Sequence, residues 1–191
     1  YPEGAVREGC PQERNSMAEQ IAHTKNGKIE QFGRICFYAG LLLELLIVIL
    51  DKSSWINPLE GQMFRVSFLL FACKLCVTKY SKKEWLAVLA AGVIAGLCYL
   101  GSDRDEAVRA VVFVASMKGI DHKKALRVVF YVTLTGMAVL AMLSLAGVLG
   151  EVWDAGAGYG IKEGSRRLCL GVGNSNALAI MIWALMTLGV Y

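Results

Sequence analysis

The chain has 191 residues, 55% hydrophobic and 19% charged, with a mean hydropathy of +0.48 and a formal net charge of +4. This balance is far from that of a soluble domain, and the apolar residues come in long blocks rather than at helical or strand period, which is the pattern of membrane spans. The positive charge lies beside the blocks and forms no basic patch interleaved with aromatics, so nucleic acid is excluded as an expected partner and membrane lipids are expected instead.

Residues 1–16 are polar and lack the apolar core of a signal peptide. The chain begins at Tyr1 and ends inside an apolar block, so we expect a piece of a longer product whose true start is Met17. Residues 1–34 form a polar, basic N-terminal segment, and residues 35–191 a transmembrane domain cut off at its C-terminus. The first predicted span runs from Ile35 to Leu50, broken only by Glu44, and a polar connector with the turn signal Asn57-Pro58 follows. The second span runs from Met63 to Thr78 and contains Lys74. Trp85 opens the third, which continues to Leu100 and carries Gly92 and Gly96 in GxxxG spacing, a pattern that lets membrane helices approach closely.

After an acidic turn, Ala107 to Met117 forms a fourth apolar block that would rise only about 17 Å as a helix, against a hydrocarbon core of roughly 30 Å. A basic stretch leads into a fifth span from Val128 to Gly150, then a glycine-rich loop from Glu151 to Ser165, and a sixth span over Ala177 to Tyr191. The expected fold is therefore all-α, a polytopic membrane helix bundle with six transmembrane helices in this chain.

Lysines and arginines give the orientation. With a cytoplasmic N-terminus, the inside segments hold Lys25, Lys28, Arg34, Lys79, Lys82, Lys83, Lys118, Lys123, Lys124 and Arg127. The outside connectors then hold Lys52, Arg104, Lys162, Arg166 and Arg167, with Arg65 and Arg109 just inside spans. Arg166 and Arg167 go against the insertion bias, which makes them candidates for function. A carboxylate at the depth of Glu44 is costly unless paired, and Arg65 or Arg109 is the expected partner. Lys74 is close enough to the cytoplasmic end to snorkel.

Four of the six cysteines, Cys36, Cys73, Cys76 and Cys98, fall inside apolar blocks and read as small embedded residues rather than a disulfide framework. His23 and His122 lie far from any acidic or cysteine cluster, so no metal site is expected. Gly156, Gly158 and Gly160 follow no strand, and neither do Gly171 and Gly173, which rejects a dinucleotide loop and leaves backbone freedom as their use.

The chemistry concentrates between Lys162 and the last span. Arg166 and Arg167 precede Asn174, Ser175 and Asn176, all good helix N-cap residues, so the final helix should begin there with its first N–H groups turned toward the arginines. Guanidinium groups beside the positive end of a helix dipole favour an anion, above all phosphate or pyrophosphate. The plainer alternative is a pair of interfacial anchors reaching for the headgroups.

The run Arg167-Leu-Cys-Leu-Gly171-Val-Gly173-Asn174-Ser175-Asn176 resembles the Arg-x-x-Leu-Gly-Phe-Gly-His-Pro-Asn signature of the O-antigen polymerase and ligase-like family, in particular the oligosaccharide repeat-unit polymerases of Gram-positive bacteria. The similarity extends upstream through Phe68 to Leu75, Thr78 to Trp85 and Ser116 to Lys124, and covers residues 63–185. The resemblance implies a protein of about ten to twelve transmembrane helices. It would join undecaprenyl-pyrophosphate-linked oligosaccharide units at the outer membrane face in capsule or exopolysaccharide biosynthesis, without metal or other cofactor, alongside other polysaccharide export components.

By the same resemblance Arg167, with Arg166 beside it, meets the pyrophosphate, and Asn176, Asn174, Gly171 and Gly173 bind substrate. Asn174 stands where the family has His and Ser175 where it has Pro, so Asn174 cannot supply a titrating base. A base would lie in the missing C-terminal part, and this piece alone is expected to be inactive. The rival readings are half of a secondary transporter, in which Glu44 and the short fourth block would matter most, and a non-catalytic membrane scaffold built on the GxxxG face.

Overall fold

The structure, a computed structural model, describes residues 11–53, 55, 57–102, 105–154 and 166–190. Six helices and one two-stranded ribbon account for nearly all of them: α1 (Pro11–Lys52), α2 (Glu60–Val77), α3 (Lys82–Ser102), α4 (Glu106–Ser116), α5 (His122–Leu145), β1 (Trp153–Asp154), β2 (Arg167–Leu168) and α6 (Ser175–Gly189). The fold is all-helical in its main elements, as its composition implies. α1 runs unbroken through residue 34, so the polar segment and the first apolar block share one 42-residue helix.

Among the described residues three helices are long and apolar enough to cross a membrane: Gly27–Lys52 within α1, α3 and α5. The other three fall short by length or charge. α2 has 18 residues but carries Glu60, Arg65 and Lys74. α4 has 11 residues and α6 has 15, rises of about 17 and 22 Å.

α1 and α2 pack antiparallel along their whole common length, in register from Gly33 against Lys74, through Gly40 against Phe71, to Glu44 against Ser67. Glycine is needed at Gly40, because a Cβ there would sit 3.0 Å from the Phe71 ring. One core cluster forms around fully buried Phe37 with Leu41, Phe71, Ile120 and Ala125. Its rings meet edge-on, Phe37 to Phe71 at 5.8 Å and Phe71 to Phe113 at 5.2 Å between centroids. A second cluster, Ile49, Leu140, Val172, Leu178 and Met181, joins α1, α5, α6 and the turn before α6.

The register gives the bundle two polar ends. At one end Tyr80 Oη donates to Ala115 O at 2.6 Å, while Lys118 Nζ donates to Lys79 O at 2.9 Å and pairs with Glu84 at 2.5 Å. Burial pushes the Tyr80 phenol above its ordinary pKa. Ser81 and Glu84 form a capping box at the start of α3, and the Asp121 side chain caps α5. The opposite end gathers the end of α1 with the starts of α2, α4 and α6. There the Asn57-Pro58 turn forms as predicted, with Asn57 Oδ1 accepting from the Leu59 amide at 3.0 Å.

Three sequence expectations change. Glu44 does not pair with Arg65 or Arg109: it accepts from Ser67 Oγ at 2.6 Å, and Arg109 pairs with Asp105 one helical turn earlier. Lys74 is buried against α1, its stem lying over Gly33, because a glycine there leaves the room. The Gly92 and Gly96 pair packs against nothing among the described residues, since a Cβ at either position would have no neighbour within 4 Å. α3 leans on α4 and leaves Leu86, Leu89, Val93, Ile94, Leu97 and Leu100 exposed, the last at 81%.

Candidate functional site

Arg166 and Arg167 lie at the Ser53 end, Arg167 on a two-stranded ribbon and Arg166 immediately before it. β2 pairs antiparallel with β1, with Trp153 opposite Leu168 and Asp154 opposite Arg167 in the register. The pairing continues as the Cys169 amide donates to Val152 O at 2.9 Å. The chain then reverses in four residues: Val172 N–H donates to Cys169 O at 3.0 Å, with φ at +48° for Leu170 and +78° for Gly171. Two successive positive φ values define a type I′ turn, whose second position suits glycine.

Gly171 is glycine for a second reason. A Cβ there would lie 3.0 Å from Leu140 O, 3.0 Å from Ser144 Cβ and 3.2 Å from Leu149 O, so the turn seats directly on the end of α5. On its other side Val172 bridges to Ser53, and Gly173 N–H donates to Lys52 O at 2.7 Å, tying the turn to the end of α1. The segment that carries the arginines is thus clamped between α1 and α5.

Asn174 is the N-cap of α6, with extended backbone and its Oδ1 accepting from the Ala177 amide at 2.7 Å. That bond leaves the Ser175 and Asn176 amides without an intrahelical acceptor. Asn174 and Asn176 are exposed, and so are both arginines. No carboxylate among the described side chains pairs with Arg166 or Arg167. Exposed guanidinium groups a few residues from a helix N-terminus can meet an anion from solvent or from a membrane surface.

The structure therefore places all six sequence candidates on one short stretch. Arg166, Arg167, Asn174 and Asn176 are accessible, while Gly171 and Gly173 hold the backbone in place. Gly156, Gly158, Gly160 and Lys162 lie outside the described residues. No group of three or more metal-ligating side chains occurs among the described residues. Sequence reading missed the apolar cleft beside the turn, about 670 Å³, lined by Leu46, Ile49, Trp55, Tyr131, Leu140 and Leu149. Leu140 and Leu149 also hold Gly171, so the cleft and the arginine segment share a wall. Its residues come from α1, α5 and the connectors, a juxtaposition with no local signal. Comparison with protein families, with curated proteins and with solved structures finds no match.

Proposed function

We propose that the protein is a multi-pass membrane protein, its N-terminus cytoplasmic, that polymerises or transfers undecaprenyl-pyrophosphate-linked oligosaccharide units at the outer face. The observation that carries this reading is the exposed Arg166 and Arg167 pair on a clamped ribbon beside an apolar cleft. Cations on a segment whose turn is seated against the wall of an apolar groove suit an amphiphile with an anionic head. Three helices of spanning length and the bare apolar face of α3 support a membrane setting, because such a face is unfavourable in water. The six-span reading needs α2, α4 and α6 to cross as well, with the bilayer thinning around the short α4.

In glycosyl transfer from such a donor, an acceptor hydroxyl attacks the anomeric carbon and loses its proton to a base. The bond from that carbon to the pyrophosphate oxygen breaks as negative charge builds on the leaving group. Fixed guanidinium groups stabilise that charge, each contact contributing about 1.5–3 kcal/mol. Arg167→Ala should slow polymer formation roughly 10- to 100-fold while the protein still inserts in the membrane. The test is the polymer ladder made by cells that depend on the variant, together with its amount in the membrane fraction. A wild-type chain-length distribution would remove the reading, as would finding a tag placed in residues 155–165 in the cytosol.

A further inference from the structure

The same end of the bundle holds a second cavity, about 820 Å³, where α2 and α4 begin and α3 ends. That volume falls within the range of about 300–1,000 Å³ typical of small-molecule sites. Its lining includes Glu60, Arg65, Tyr99, Asp105 and Arg109 together with apolar and aromatic side chains. Arg109 is held on two sides: its guanidinium lies 4.0 Å over the Phe64 ring, and its Nη2 donates to Asp105 Oδ1 at 3.0 Å. Its Nε is nevertheless buried with no acceptor among the described residues. Neither α2 nor α4 carries a side-chain cap at its start. Glu60 and Arg65 make no ion pair among the described residues.

Among the described lining residues two carboxylates balance two guanidiniums, so a bare anion would meet repulsion along with attraction. A hydroxyl-rich ring fits it better. Each hydroxyl donates and accepts. The carboxylates can accept hydrogen bonds from its hydroxyl groups, while the Arg65 fork and the uncapped amides can donate to its oxygens. Phe68 and Tyr99 offer flat apolar surface to the C–H faces of the ring. We infer that this cavity is a saccharide-binding site. The inference deepens the glycosyl-transfer reading and rests on it for one point, that the bound sugar belongs to the acceptor unit while Arg166 and Arg167 take the donor pyrophosphate.

The test is saturation-transfer NMR on the purified protein in lipid nanodiscs, with glucose, galactose, rhamnose and N-acetylglucosamine as probes. At least one of the four should receive saturation. Glu60→Ala and Arg65→Ala, which break no ion pair among the described residues, should each weaken its binding about tenfold. No transfer to any of the four, or unchanged binding in both variants, overturns the inference. Inorganic pyrophosphate is the counter-probe: Arg65-dependent binding of pyrophosphate without sugar binding would make the cavity an anion site and also overturn it. Arg167→Ala separates the two readings, because it should leave sugar binding unchanged. Sugar binding together with wild-type polymer in that variant would defeat only the glycosyl-transfer reading, and polymer loss without sugar binding in the wild type only the saccharide site.

Discussion

Replacing Gly171 by alanine tests whether the turn after the arginines is a fixed seat or a pliable loop. At φ +78° a Cβ costs roughly 1–2 kcal/mol. The same atom would come within 3.0 Å of Leu140 O and Ser144 Cβ, and crowding of a packed site adds about 1–3 kcal/mol. Backbone oxygens cannot swing aside as a side chain can, so we expect a total loss of about 2–5 kcal/mol. Gly92→Ala is the matched control, since a Cβ there meets nothing within 4 Å and helix interiors prefer alanine to glycine. Thermal unfolding of the two variants in nanodiscs should place Gly171→Ala well below wild type and Gly92→Ala at or above it. Equal midpoints would refute the idea that the turn is clamped on α5, and with it the fixed placement of Arg166 and Arg167.

Two further outcomes follow from single contacts. Ser67→Ala should cost about 1–3 kcal/mol, because it leaves the half-buried Glu44 carboxylate without its donor, and the same change in a Glu44→Ala background should cost markedly less. Denaturation of the four proteins of that cycle checks it, and an equal cost in both backgrounds would show that the bond contributes nothing. Asn174→Ala should lower stability by about 1 kcal/mol through loss of the α6 cap, whereas Asn174→Ser should restore most of it, as read by thermal unfolding. A serine variant as unstable as the alanine one would rule out the cap.

Much of the fold was legible in the residue string because it depends on local chemistry. Apolar runs gave the C-terminal part of α1, α3 and α5, the Asn57-Pro58 signal gave the break before α2, and the run Asn174, Ser175, Asn176 gave the start of α6. The shortness of α4 was also readable, since its length is a property of the segment itself. Of the candidate site, the sequence supplied the residue types and their nearness along the chain. It did not supply the ribbon, because Arg167 pairs with a residue 13 positions earlier, across a segment without strand pattern.

The sequence by itself determined that this chain is helical, that parts of it suit a bilayer, and that two arginines stand before a capped helix; each of these follows from propensity or composition within a few residues. Only tertiary structure decided that Glu44 answers to Ser67, that Lys74 lies over Gly33, that Gly92 and Gly96 meet no neighbour among the described residues, and that the arginine segment is gripped between Lys52 and Leu140. Those outcomes turn on which helix faces meet, and apolar faces of similar composition leave that choice to shape. Small residues and single hydrogen bonds between distant positions settle it.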